Sequence, residues 1–357
     1  MKNTAIITGV SGQDGAYLAQ LLLRKKYKVY GVIRRSSSDP LSRLEFLNIK
    51  NKVNYINLDL SEHLKIIEII RKIKPKYFFN LAAQSFVTYA YDNPIYTDQI
   101  NNQSVINILE AIRQFSKKTK FYQASSSEMY GLNDRNLKKL NEKSHFNPIS
   151  PYSIAKLSSY YYVRMYRNSF NMFASNGILF NHESPLRGEQ FVTKKIVKGL
   201  TEIKFNKKKD PLKLGNIYSR RDWGHAKDYV EMMYRILNYK KADDFVISSG
   251  KQFSIKEFIN LVCKKLNMPV KWRGKGLKER AFNNKNKVII EISKKLFRPL
   301  DVVYLLGDSS KAKKNLKWKP SKNIYPLIND MVDHEIKNLT PWLRFKRLKK
   351  ITVEVIE

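Results

Sequence analysis

Cysteine occurs once in the 357 residues, at Cys263, so no disulfide can form within the chain and no cysteine-based structural zinc site can be built. Histidine occurs five times without close metal-ligand spacing, which argues against a metalloenzyme. No apolar run approaches the roughly 20 residues of a membrane helix. Met1 to Thr8 already reads as strand, which leaves no room for a signal peptide. The expectation is a cytoplasmic protein with no membrane insertion. The 14 glycines and 12 prolines are too few for a collagen-like or linker-rich chain. Acidic residues are also scarce, 31 against 67 Lys and Arg, a formal net charge of +36. Such a field attracts nucleic acid, anionic membranes or phosphorylated substrates. The basic residues are spread along the chain in short runs such as Lys207-Lys208-Lys209, and none is interleaved with aromatics in a nucleic-acid pattern. No specific nucleic-acid partner is expected.

What the chain has is alternation. Short β-branched runs at Thr4–Thr8, Lys28–Ile33, Val53–Asn57, Tyr77–Leu81, Lys120–Ala124 and Ala174–Phe180 are separated by helical patterns, including 95–113 and Pro151–Phe170. Six parallel strands with intervening helices predict an α/β fold, a doubly wound, mostly parallel Rossmann-type sheet. After Asn181 the alternation fails, and the expectation there is a smaller mixed α/β substrate domain. The predicted boundaries are 1–180 for the dinucleotide-binding domain, with 222–250 returning to it, and 181–221 plus 251–357 for the second. His225 and Cys263 read as structural, the latter on an amphipathic helix with Phe258 and Leu261.

Thr8 is followed by Gly9, Gly12 and Gly15 in a G-x-x-G-x-x-G turn between the first strand and its helix. A tight turn, a close backbone approach to pyrophosphate and a helix amino terminus together suit a dinucleotide. The second strand ends in Arg34-Arg35-Ser36-Ser37, without the acid that holds an NAD ribose. Guanidinium forks and hydroxyls match a 2′-phosphate, so NADP is the expected cofactor. Asp59 is placed either to accept from the adenine amino group or to cap the next helix.

Strand five runs into Ser125-Ser126-Ser127-Glu128, at the carboxyl end where ligands of such sheets bind. Tyr152 and Lys156, four apart, share one helix face. A phenol is a poor base at neutral pH, and a nearby ammonium favours its ionised form. The pair can take a proton from a sugar hydroxyl as that carbon is oxidised.

With GVSGQDGAYL from Gly9, RRSS from Arg34, NLAAQS from Asn80, YQASSSEMYG from Tyr122, PYSIAK from Pro151, NGILFNHESPLRG from Asn176 and RDWGHAKDY from Arg221, the chain resembles the extended short-chain dehydrogenase/reductases. Within them it is most similar to the GDP-mannose 4,6-dehydratases. The resemblance implies conversion of GDP-mannose to its 4-keto-6-deoxy product, with Ser126, Glu128, Tyr152 and Lys156 catalytic. It implies cofactor contacts from Gly9, Gly12, Gln13, Asp14, Gly15, Arg34, Arg35, Ser37, Asp59, Leu60, Leu81, Ala82, Ala83, Ser85, Tyr96, Tyr152, Lys156, His182 and Arg187. Substrate contacts are implied for Ser85, Ser126, Glu128, Asn181, Arg187, Lys194, Arg220 and Arg298, with Arg221 competing with Arg220 for one motif position. A homo-oligomer, dimer or tetramer, is implied through the basic loop from Arg34 to Arg43. Two positions depart from the family: Ser126 stands where Thr is common, and Phe86 where His is usual. Another GDP-sugar (a heptose or amino sugar), or epimerase or reductase chemistry, are the competing readings.

Overall fold

A computed structural model describes residues 3–37, 39–132, 139–297, 302 and 304–354, and side chains as far as 342. The chain divides into two units, the first made of 1–182, 220–252 and 302–321, the second of 183–219, 253–301 and 322–357.

The first unit is built on seven parallel strands: β1 (Thr4–Thr8), β2 (Lys28–Ile33), β3 (Asn54–Asn57), β4 (Tyr77–Asn80), β5 (Lys120–Ser126), β6 (Ala174–Leu179) and β11 (Asp244–Ile247). They run in the order β11-β6-β5-β4-β1-β2-β3. The chain winds outward from β1 to β3, returns to β1's other side with β4, and winds outward again. That reversal leaves a crevice above the carboxyl ends of β1 and β4, where ligands of such sheets bind. All five residues of β1 are buried, as expected of a central strand covered on both faces. On one face α3 (His63–Ile73), α6 (Ser104–Phe115) and α7 (Pro151–Phe170) bury Ile66, Ile70, Ile108, Leu109 and Val163 against Ile6, Phe78 and Phe121. Each such side chain contributes about 1.5–3 kcal/mol on leaving water. Helices α1 (Gln13–Arg24) and α9 (Ala226–Leu237) pack against each other, and α11 (Ser310–Leu316) lies by β11.

Six strands were expected and seven are present; the seventh, β11, pairs in parallel with β6 from Asp244↔Asn176 to Ile247↔Leu179. The predicted helix over 95–113 is three pieces, α5 (Pro94–Asp98), a π-turn over Gln99–Gln103, and α6. Residues 302–321, expected with the second domain, cluster with the first.

Short strands β7 (His182–Glu183), β9 (Arg220–Asp222), β10 (Gly224–His225) and β12 (Gln252–Ser254) lie outside the main sheet. The second unit has a four-stranded sheet of β13 (Lys271–Arg273), β14 (Arg280–Phe282), β15 (Val288–Ile292) and β8 (Leu212–Leu214), antiparallel except for β15 with β8. Helices α8 (Val192–Lys204), α10 (Ile255–Lys265) and α12 (Ile324–Glu354) pack on one another. Cys263 is buried on α10, where desolvation pushes its thiol up to about 12, so it is unreactive core. Among the described residues no helix is long and apolar enough to cross a membrane.

Candidate active site

The glycine turn has the shape a pyrophosphate needs. Gly9 takes φ +69°, and a Cβ there would lie 2.9 Å from the Ala82 backbone. At Gly15 a Cβ would stand 2.2 Å from the Gly9 carbonyl oxygen, so the third glycine lets α1 start directly on the turn. Gln13 donates through Nε2 to the carbonyl of His182. The His182 ring has Nδ1 2.8 Å from the Phe180 carbonyl and Nε2 2.7 Å from an Asp14 carboxylate oxygen. Both neighbours are acceptors, so the doubly protonated ring is the form that satisfies both. Tyr229 stacks on it with centroids 4.4 Å apart. The side chains of Asp14 and His182 thus brace the turn. Arg43, expected at a subunit contact, donates to the Ser11 carbonyl of its own glycine turn at 3.1 Å.

Arg34, Arg35 and Ser37 are exposed after β2, and Arg34 Nη1 lies 2.7 Å from the Tyr96 hydroxyl, which brings two implied cofactor residues together. Asp59 accepts from the Ser61 amide and hydroxyl in a local turn before α3, whose cap position is Glu62, so Asp59 does not cap that helix. Leu81, Ala82 and Ala83 are half-buried and Ser85 exposed, in the loop after β4. Asn101, on the π-turn, fixes that loop by accepting from the Gln84 amide and donating to its carbonyl, both at 2.9 Å. Such turns often occur at functional sites. Phe86 is 39% exposed, so it does not face the core.

Sequence reasoning passed over a buried polar row beneath these residues. Thr8, Asn80, Gln123, Asn176 and Asp244 lie in register across five adjacent strands. Thr8 donates to Asn80 Oδ1 at 2.6 Å, Asn80 to Gln123 Oε1 at 2.9 Å, and Asn176 to Asp244 Oδ1 at 2.8 Å. The same Thr8 oxygen accepts from the amides of Leu81 and Ala82. Three of the five stood inside quoted motifs, but their pairing is a matter of register that sequence spacing does not carry.

β5 delivers Ser126, whose Oγ accepts from the Glu128 amide at 3.2 Å and starts a single 3₁₀ turn, Ser127–Tyr130. Gly131 closes that turn at φ +54°, where a Cβ would overlap the Asn147 carbonyl oxygen. α7 begins with a reciprocal cap: Ser150 Oγ accepts from the Ser153 amide, and Ser153 Oγ from that of Ser150. Pro151 occupies its first turn, Tyr152 follows, and Lys156 lies one turn on. Lys156 is 2% exposed; its ammonium donates to the Ala124 carbonyl at 2.9 Å and lies 5.9 Å from the centre of the Tyr152 ring. Desolvation lowers its pKa to about 8. Glu128 is half-buried, and no described ion pair joins it to Lys156. Asn181 Oδ1, just past β6, is buried with no hydrogen-bond partner, an acceptor suited to a ligand hydroxyl or amide. Arg220 is half-buried, with Nη2 near the Gln252 carbonyl, whereas Arg221 is 8% exposed. His225 caps α9 by accepting from the Lys227 amide. Glycine cradle and arginine loop fit a dinucleotide.

Within the second unit, Arg187 stacks on Phe191 with its guanidinium carbon 3.5 Å from the ring centre and its Nε 3.0 Å from buried Glu183, although poorly aligned for a hydrogen bond. Lys194, implied as a substrate contact, is 6% exposed and donates to the Pro185 carbonyl and to the Glu335 carboxylate on α12. Arg298 lies outside the described residues.

The family model described as GDP-mannose 4,6 dehydratase matches residues 6–331. The chain is 43% identical over 345 residues to GDP-mannose 4,6 dehydratase 2 of Caenorhabditis elegans, covering 94% of this chain and 89% of the relative. It is 41% identical over 355 residues to GDP-mannose 4,6-dehydratase of Vibrio cholerae, covering 94% and 95%. Among solved structures, dTDP-glucose 4,6-dehydratase from Bacillus anthracis in complex with NAD matches with a TM-score of 0.78 at 18% identity, covering 94% and 97%. RMD from Pseudomonas aeruginosa complexed with NADPH matches at 0.73 and 18%, covering 94% and 99%. At these identities the two structures show the shared fold.

Proposed function

The chain belongs to the GDP-mannose 4,6-dehydratase family, and from that premise we propose how its own residues carry the reaction. The enzyme converts GDP-mannose to GDP-4-keto-6-deoxymannose and water. NADP, when bound, supplies the redox chemistry, oxidising carbon 4 of the sugar and later reducing carbon 6. Tyr152 takes the proton of the 4-hydroxyl, and the Lys156 ammonium stabilises the phenolate that does so. The resulting ketone acidifies the hydrogen at carbon 5, which Glu128 removes. Ser126 and the protonated Glu128 then assist departure of the 6-hydroxyl as water, and when carbon 6 is reduced carbon 5 takes back a proton, for which the one Tyr152 gained from the 4-hydroxyl closes the balance. Arg34 and Arg35 hold the 2′-phosphate, and Gly9, Gly12 and Gly15 admit the pyrophosphate.

One observation carries this reading. The Lys156 to Ala124 contact ties the helix bearing the phenol to the strand that ends in Ser126 and Glu128. A simple oxidoreductase would need the phenol and ammonium but not an elimination carboxylate at that strand end. Incubation with a panel of GDP- and UDP-sugars tests it: GDP-mannose should lose one water by mass, and turnover of a UDP-sugar alone would reject the substrate assignment.

Homo-oligomerisation belongs to the same reading. The outer face of α7 carries Ile154, Tyr161 and Met165, 55%, 51% and 38% exposed at helical spacing, an apolar stripe suited to a second copy. Light scattering should show at least a dimer; a fully active monomer at micromolar concentration would remove the idea. A cytoplasmic location is supported by a lone, buried Cys263 that can make no internal disulfide.

A further inference from the structure

At the amino-terminal edge of the seven-stranded sheet, the end away from Ser126 and the glycine turn, cations gather without carboxylates. Tyr27 precedes β2, Lys76 precedes β4 and Tyr77 opens it, Lys120 opens β5, Tyr234 is in the last turn of α9 and Asn238 follows that helix. Backbone bonds lock these starts together, Lys76 N to the Thr4 carbonyl and Lys120 N to the Lys76 carbonyl, both at 3.0 Å. Tyr27 and Tyr77 stack at 5.4 Å, and Tyr234 stands edge-on to both at 6.3 Å.

Around these rings sit three ammonium groups. Lys25 Nζ lies 4.5 Å from the centre of Tyr234, and Lys76 Nζ 5.2 Å from that of Tyr77. Lys120 Nζ lies 4.1 Å from the centre of Phe173 and donates to the Leu237 carbonyl at 2.9 Å. Among the described residues the hydrogen bonds of Lys76 Nζ are long, to Asn3 Oδ1 at 3.4 Å and the Tyr27 hydroxyl at 3.5 Å. Among the described residues none of the three forms an ion pair. The one carboxylate that reaches Tyr234 electrostatically, Glu231, is engaged by Arg235 at 3.1 Å. Burial, then the charge of Lys76, pushes the Lys120 ammonium down. Two like charges held together with unused N–H donors and a neighbouring phenol form a site short of an anion.

We propose that this edge binds a phosphate group, carried by orthophosphate or by a small phosphorylated metabolite, with Lys76, Lys120 and the Tyr27 hydroxyl as its donors. Tetrahedral phosphate offers several acceptors to point charges, and a dianion cancels the repulsion between the two lysines. Lys25 adds field from the rim.

Equilibrium dialysis of the full chain against radiolabelled orthophosphate tests the site, with saturating NADP and GDP present to fill the pyrophosphate sites. The wild type should retain one saturable phosphate per chain. Lys76→Gln with Lys120→Gln should weaken it at least about tenfold, and Lys72→Gln on α3 should not. Turnover should be unchanged in the double variant, because neither lysine touches the reaction. Replacing chloride by phosphate at matched ionic strength should raise the melting temperature of the wild type and leave the double variant where it was. Displacement by a sugar phosphate at lower concentration than by orthophosphate identifies a metabolite as the carrier, and the reverse order identifies the free ion; either supports the site. No saturable binding, equal binding by the double variant, or capture of a single-stranded oligonucleotide without saturation by phosphate would overturn it.

Discussion

The two ends of one sheet solve opposite problems. At the carboxyl edge, Thr8 and Asn80 spend their hydrogen bonds on each other, on Gln123 Oε1 and on the Leu81 and Ala82 amides, so the loop above them is set by a chain of short contacts. At the amino edge the polar atoms are sheltered by tyrosine rings instead, and Lys76 keeps long, weak partners. The first arrangement fixes position, which proton transfer demands. The second leaves charge on offer, which suits binding and would be a poor support for chemistry. Four experiments press on that contrast.

The largest effect is expected at the carboxyl edge. Tyr152→Phe and Glu128→Gln should each slow product formation by about 10²–10⁴-fold. They should differ in kind: Glu128→Gln retains the first oxidation and accumulates bound NADPH absorbance, whereas Tyr152→Phe shows none. Wash-in of solvent deuterium at carbon 5 should vanish in both. A wild-type rate in Glu128→Gln would return that carboxylate to a structural role.

Lys156 comes next. Its folded pKa of about 8 lies below the ordinary lysine value of 10.5, so the folded state holds that proton less tightly than the unfolded chain. The penalty, about 3 kcal/mol, is complete below pH 8 and disappears as pH rises towards 10.5. The stability of Lys156→Met minus that of wild type, from urea titrations, should therefore shrink by about that amount between pH 7 and pH 10.5, while turnover is lost at both. A difference that does not vary with pH would mean the ammonium is better solvated than its burial indicates.

Thr8→Val keeps the shape of β1 but removes the oxygen that serves Asn80 and two amides. A loss of about 1–3 kcal/mol in unfolding free energy is expected, together with weaker NADP binding in a fluorescence titration. His182→Asn should have the smallest effect, a fall of about tenfold or less in NADP affinity, because Gln13 still holds the strand end through a backbone carbonyl. If Thr8→Val were silent, the contrast between the two edges would lose its basis.

Much of the carboxyl edge was readable in the sequence because its signals are local. The run TAIIT, the glycine spacing, and Ser150-Pro151 before Tyr152 each state their own conformation. Strand β11 escaped because DFVI is only four residues long, stands behind a lysine-rich turn, and joins β6 after the chain has passed through the second unit. The resemblance implies Lys194 as a substrate contact, but its bond to Glu335, 141 residues away, is carried by no local signal. The amino-edge cluster was missed for the same reason, its lysines and tyrosines being scattered from residue 25 to residue 238 and gathered only when the strands align.

The Ser150–Ser153 cap has a consequence of its own. Each residue of an α-helix advances the direction of its side chain by about 100°, so the residue at which α7 begins sets the compass bearing of everything after it. Starting one residue early or late would swing Tyr152 and Lys156 away from β5 together. Because that bearing is written into four adjacent residues, it is set locally and not by the length of the chain that leads into them. A single added residue inside Ser150-Pro151-Tyr152-Ser153 should therefore cost catalysis.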